Sequence, residues 1–131
     1  MVSSVTIFVV PHQQQRYDTA GDWTLRGQRL EIKVSQMPTS GYESLLALHE
    51  YIEATLCLAA GITPADVDDW DFNYSGSYAE PGEDPACPYH KQHMQAETQE
   101  RALAEALGLD WFAYIDALDK LEWRKSRGAH R

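Results

Sequence analysis

Three ionisable residues, His49, Glu50 and Glu53, lie in the middle of the apolar stretch LLALHEYIEATLCLAAGI at 45–62. Residues four apart share one face of a helix, so His49 and Glu53 point the same way and Glu50 lies one step round. Buried carboxylates are costly unless a cation pairs with them, and positions 34–90 contain no lysine or arginine. The pattern therefore predicts either a partner from elsewhere in the fold or a metal ion.

The spacing HEYIE is that of the zinc-binding motif HExxH with glutamate in place of the second histidine. In HExxH the two side chains four residues apart bind the metal, and the glutamate between them acts as general base. Zinc also accepts carboxylate oxygen as a ligand. We therefore predict His49 and Glu53 as ligands of zinc or another divalent transition metal, and Glu50 as the catalytic base.

A second cluster, YHKQHMQAETQE, supplies His90, His93, Glu97 and Glu100. With His93 as third ligand, the site has the two imidazoles and one carboxylate of many catalytic zinc centres. Glu97 shares a helix face with His93 and is predicted to orient a ligand histidine through a hydrogen bond. An alternative set, spaced Cys87-x-x-His90-x-x-His93, suits a closed structural zinc site because it includes a thiolate.

Two aspartates are candidates for the surroundings of this site. Asp71 is the member of the acidic run 66–71 predicted to turn inward, and Asp84, in the turn EPGED, is predicted to approach the site. Each is a candidate supporting residue or alternative ligand. The competing interpretation is that the histidines and glutamates form buried hydrogen bonds without a metal, with Cys57 as a core residue beside them.

The elements that must position these residues follow the order strands, then helices, which predicts an α+β fold. Strands are predicted at 5–10, 23–25 and 30–34, the metal-site helix at about 43–60, an acidic loop with a short helical turn at 61–88, and two further helices at about 89–107 and 110–124. The small sheet is expected to be antiparallel or mixed, followed by three helices. The 131 residues predict a single domain spanning 1–131.

Composition excludes several classes of function. A net charge of -9 argues against nucleic-acid binding, because the one basic cluster is the tail at 124–131. No apolar run approaches the length of a membrane span, and the N-terminus lacks a positively charged leader region. Two cysteines do not make a disulfide framework. The expected location is the cytoplasm, with no membrane partner.

The segments VVPHQQQRYDTAGDW, ALHEYIEATLC, EPGEDPACPYHKQH and LGLDW together resemble a family of small bacteriophage and prophage proteins. That resemblance implies a phage-encoded protein in the host bacterial cytoplasm. The order of sheet, HE-bearing helix and second ligand-bearing helix resembles a minimal zincin metallopeptidase core. It implies a metal-dependent hydrolase acting on a peptide or host protein, with His49 and Glu50 matching the motif and Glu53 departing from it. The alternative is a non-catalytic accessory protein that binds a host protein.

Overall fold

A three-stranded mixed sheet forms the N-terminal part of the protein in a computed structural model that describes residues 1–123. Its strands are β1 (Ser4–Val10), β2 (Gly21–Arg26) and β3 (Arg29–Ser35), in the order β1-β3-β2. β3 pairs in parallel with β1 and antiparallel with β2. The tight β2–β3 turn uses Gly27 at a φ of 60°, a conformation that costs glycine little. The predicted strands are confirmed.

Four helices follow the sheet: α1 (Ser40–Ala59), α2 (Pro64–Asn73), α3 (His90–Ala106) and α4 (Trp111–Asp119). Strands followed by helices confirm the α+β prediction. α1 packs on β2 and β3 with one side and on α3 with another. This double contact explains its apolar sequence, because a helix covered on two sides buries more than a single stripe.

α2 is the main departure from the predicted elements, since it occupies part of the segment expected to be an acidic loop. The side chain of Thr63 accepts a hydrogen bond from the backbone N–H of Asp66, and the Asp66 carboxylate accepts one from the backbone N–H of Thr63. Pro64 at the first helical position adds a preset φ angle. These capping interactions extend the expected short turn into a ten-residue helix.

The last helix is shorter than predicted. α4 begins after Asp110, whose carboxylate caps it as expected, and ends at Asp119. The predicted end at Arg124 and the basic tail lie outside the described residues. Within residues 1–123, no single helix has the length and apolar character to cross a membrane, and α1 with α2 meets that test only as a pair bent by 120°.

Candidate metal centre

His49, Glu53 and His93 bring three ligand atoms together between α1 and α3. His49 Nε2 lies 3.2 Å from Glu53 Oε2 and 3.3 Å from His93 Nδ1, and the third side, from His93 Nδ1 to Glu53 Oε2, measures 3.0 Å. All three residues are buried. The sequence predicted this set, and the structure places its three members in one cluster that could hold a metal ion.

The triangle has the size that a tetrahedral metal ion requires. Bonds of about 2.0–2.1 Å to nitrogen and oxygen place tetrahedral ligand atoms about 3.3–3.4 Å apart. The observed separations of 3.0–3.3 Å are close to this value. A slight expansion of the triangle would therefore accommodate the ion.

Each ligand at the α1 side is held by a second contact. Glu100 Oε1 lies 2.8 Å from His49 Nδ1, and Glu100 Oε2 accepts a 2.5 Å hydrogen bond from the Tyr114 hydroxyl. Trp23 Nε1 donates a 3.4 Å hydrogen bond to Glu53 Oε1. A carboxylate on the second imidazole nitrogen fixes which nitrogen is free to bind a metal. This arrangement leaves His49 Nε2 directed at the triangle.

Glu97 was predicted to orient a ligand histidine, but in the structure Glu100 makes this contact with His49. His93 lies beside Glu53, and the later residue Glu100 lies beside the earlier residue His49. The residue numbers of the contacts therefore rise along α3 as they fall along α1, so the two helices run antiparallel. Glu97 also shares the helix face of His93, and spacing alone did not distinguish it from Glu100. Glu97 is partly exposed, and its carboxylate accepts no hydrogen bond from the described residues.

His93 is held by close packing on one side and has an open polar atom on the other. A Cβ built on Gly82 would lie 2.5 Å from the imidazole ring, so only glycine fits at that position. His93 Nε2 is buried and has no hydrogen-bond partner among the described residues, and Glu80 Oε1 is 3.9 Å away. The ring therefore has one nitrogen in the triangle and one facing the Glu80 segment.

The side chain of Glu50 is buried but forms no hydrogen bond with any described residue. A Cβ on Gly21 would lie 2.8 Å from its side chain, so β2 passes directly over the carboxyl group. Burial, and then the charge of Glu53, raise the pKa of Glu50 well above its ordinary value. Glu50 lines a cavity of about 530 Å³ that also reaches the three candidate ligands. Its carboxylate is thus next to the triangle without being part of it.

Hydrogen bonds within the cluster shift the pKa values of all three candidate ligands. Burial alone would raise the pKa of Glu53, but hydrogen bonds from His49 and His93 lower it to about 2. Burial opposes protonation of the two imidazoles, yet hydrogen bonds to Glu100 and Glu53 raise the pKa of His49 well above its usual range. The hydrogen bond to Glu53 likewise raises the pKa of His93. When no metal is bound, these hydrogen bonds stabilise the cluster.

The other predicted site residues lie outside the triangle. Asp71 turns inward as predicted and accepts hydrogen bonds from the Tyr17 and Tyr89 hydroxyls; burial raises its pKa to about 6. Asp84 instead accepts hydrogen bonds from the Tyr74 hydroxyl and the Ala86 backbone, so it stabilises the loop.

The alternative set with Cys87 is not assembled among the described residues. His90 Nδ1 lies 2.9 Å from the backbone carbonyl oxygen of Gly82, to which it donates a hydrogen bond, and the ring is therefore committed to the loop. Cys87 and Cys57 are buried free thiols in the hydrophobic core. Burial raises the pKa of both thiols to about 12, as expected of inert core cysteines.

Comparisons of the chain with family profiles, with curated proteins and with solved structures found no significant match.

Proposed function

We propose that the protein is a metal-dependent hydrolase of the metallopeptidase type, with zinc bound by His49, Glu53 and His93. The observation that carries this proposal is the buried triangle of ligand atoms beside an unbonded carboxylate, Glu50, in the same cavity. Two imidazoles and one carboxylate leave a fourth tetrahedral position open, as catalytic zinc sites require. A peptide or a host protein is the proposed substrate.

The protein's own residues would divide the work of hydrolysis. A bound zinc ion supplies Lewis-acid polarisation of the substrate carbonyl and acidifies water. Glu50 takes a proton from the attacking water while the oxygen of that water bonds to the carbonyl carbon. When the C–N bond breaks, Glu50 delivers that proton to the departing amine nitrogen. Glu100 keeps His49 in the orientation that leaves Nε2 for the metal.

A non-catalytic accessory protein is the second candidate, and one observation favours it. With a proton on His49, hydrogen bonds within the cluster satisfy both of its ring nitrogens and the Glu53 carboxylate. The network can therefore persist as a structural element with no metal. Phage origin, the host cytoplasm and a host-protein partner stay predictions that rest on the resemblance of the sequence.

Digestion of an unfolded protein tests the enzymatic proposal. Untagged protein loaded with zinc should cleave casein into fragments detectable by mass spectrometry, a chelator should stop the cleavage, and added zinc should restore it. Glu97→Gln is a matched control, because Glu97 lies on the ligand-bearing helix but its side chain forms no hydrogen bond with the ligand triangle and does not line the cavity. It should cleave like the wild type. Zinc-loaded protein that leaves casein and a mixture of short peptides intact would contradict a peptidase.

A further inference from the structure

The cavity beside the metal centre is strongly acidic. Nine carboxylate side chains line it, and no lysine or arginine of the described residues does so. Among the described residues, the ionisable nitrogen groups in this lining are those of three histidines, two of which are candidate ligands. Clustered carboxylates repel one another, so such a wall is costly unless enough positive charge occupies the space.

The protein neutralises only part of this charge. Arg16, which is not in the cavity wall, forms two 2.8 Å hydrogen bonds with Asp22. Tyrosine hydroxyls donate to Asp71 and Glu100 but add no positive charge. Zinc with Glu53 as ligand would contribute one net positive charge. The remaining carboxylates still outnumber the cations.

Glu80 and Glu83 are two carboxylates of this wall that lie at the edge of the cavity. They flank the short turn that presses Gly82 against the His93 ring, so they lie beside the proposed metal ligand. Neither forms an ion pair with lysine or arginine among the described residues, and the Glu80 side chain is about half exposed, at 51%. Independently, the buried His93 Nε2 faces the same turn without a partner. At this edge of the cavity, the Glu80 carboxylate is accessible from solvent and the His93 Nε2 atom has no hydrogen-bond partner.

We propose that the substrate is a positively charged peptide segment whose lysine or arginine side chains are held by Glu80 and Glu83 beside the metal centre. The inference rests on the proposed function in taking this cavity as the place of reaction. An acidic cleft with low-dielectric walls concentrates cationic ligands and speeds their association. A second metal ion held by Glu80, Glu83 and His93 fits less well, because a neutral imidazole has only one nitrogen free to bind a metal and His93 already directs Nδ1 at the ligand triangle.

Peptide binding to zinc-loaded Glu50→Gln protein tests the inference without requiring turnover. Two fluorescent peptides with the same backbone, one with lysines and the other with glutamates flanking the central bond, are titrated by fluorescence anisotropy. The lysine peptide should bind about tenfold more tightly, at the lower end of what focused fields provide. The preference should weaken at high salt, because exposed charges are screened.

Paired variants separate a local effect from net charge. Glu80→Gln with Glu83→Gln should abolish most of the preference, whereas Glu97→Gln with Glu105→Gln removes the same charge from the outside of α3 and should preserve it. Equal binding of both peptides, binding of neither, or equal losses in the two variants would overturn the proposal. So would a second zinc ion in the wild type that the Glu80–Glu83 variant lacks. Selective binding without cleavage by wild-type protein would leave this inference intact and refute the hydrolase.

Discussion

Replacing Glu50 with glutamine should lower peptide turnover by about 10²–10⁴-fold, the usual contribution of a positioned acid–base group. Glutamine keeps the shape of the side chain but cannot take up a proton from water. The Glu50 side chain forms no hydrogen bond with the described residues, so the substitution breaks none, and the neutral amide avoids a buried negative charge. The variant should therefore fold and retain its metal. Steady-state kinetics together with metal analysis of the same preparation measure both properties.

Glu53→Gln is the informative comparison, because Glu53 Oε2 is a corner of the ligand triangle. A neutral amide is a poorer ligand than a carboxylate, so this variant should lose metal first and activity as a consequence. Excess zinc should partly rescue Glu53→Gln and should not rescue Glu50→Gln. The assigned roles are wrong if both variants release the metal, or if both keep it and lose the same activity.

Zinc should raise the melting temperature of the metal-free protein by about 10 °C when free zinc is near 100 times the dissociation constant. Such a concentration stabilises the folded state by about 2.7 kcal/mol if the unfolded chain binds no zinc. The ligands come from two helices, α1 and α3, so the unfolded chain does not hold them in place. Differential scanning calorimetry of chelator-treated protein, with and without zinc, measures the shift.

Glu53→Gln should show a much smaller zinc-dependent shift, whereas Glu97→Gln should shift like the wild type. A melting temperature that neither chelator nor zinc changes in the wild type would favour the hydrogen-bonded network. In that case His49, Glu53 and His93 would stabilise the fold through protons alone.

The three candidate ligands could be predicted from the sequence. His49 and Glu53 lie four residues apart on a helix whose apolar surroundings indicated burial, and helical periodicity then required them to share a face. His93 was predicted because a second His/Glu cluster followed on another helix. Strong local patterns of this kind depend little on tertiary detail. The α+β order of strands and helices was predictable for the same reason.

The supporting residues depended on tertiary packing that one sequence does not encode locally. Glu100, and not Glu97, contacts His49 because α1 and α3 pack antiparallel, which brings the later glutamate of α3 to His49. Gly21 and Gly82 pass within van der Waals distance of Glu50 and His93, and only the assembled fold reveals these contacts. α2 left a local signal in Thr63-Pro64 and Asp66, but the acidic composition of its segment favoured a loop.

Counting metal ions per chain tests the central claim most directly. Untagged protein, purified without chelator, incubated with zinc and freed of excess metal, should show one tightly bound zinc ion per chain by native mass spectrometry, and that ion should be lost in Glu53→Gln but kept in Glu50→Gln and Glu97→Gln. A wild-type spectrum that stays metal-free after incubation with zinc would contradict the metal centre and, with it, the proposed hydrolase.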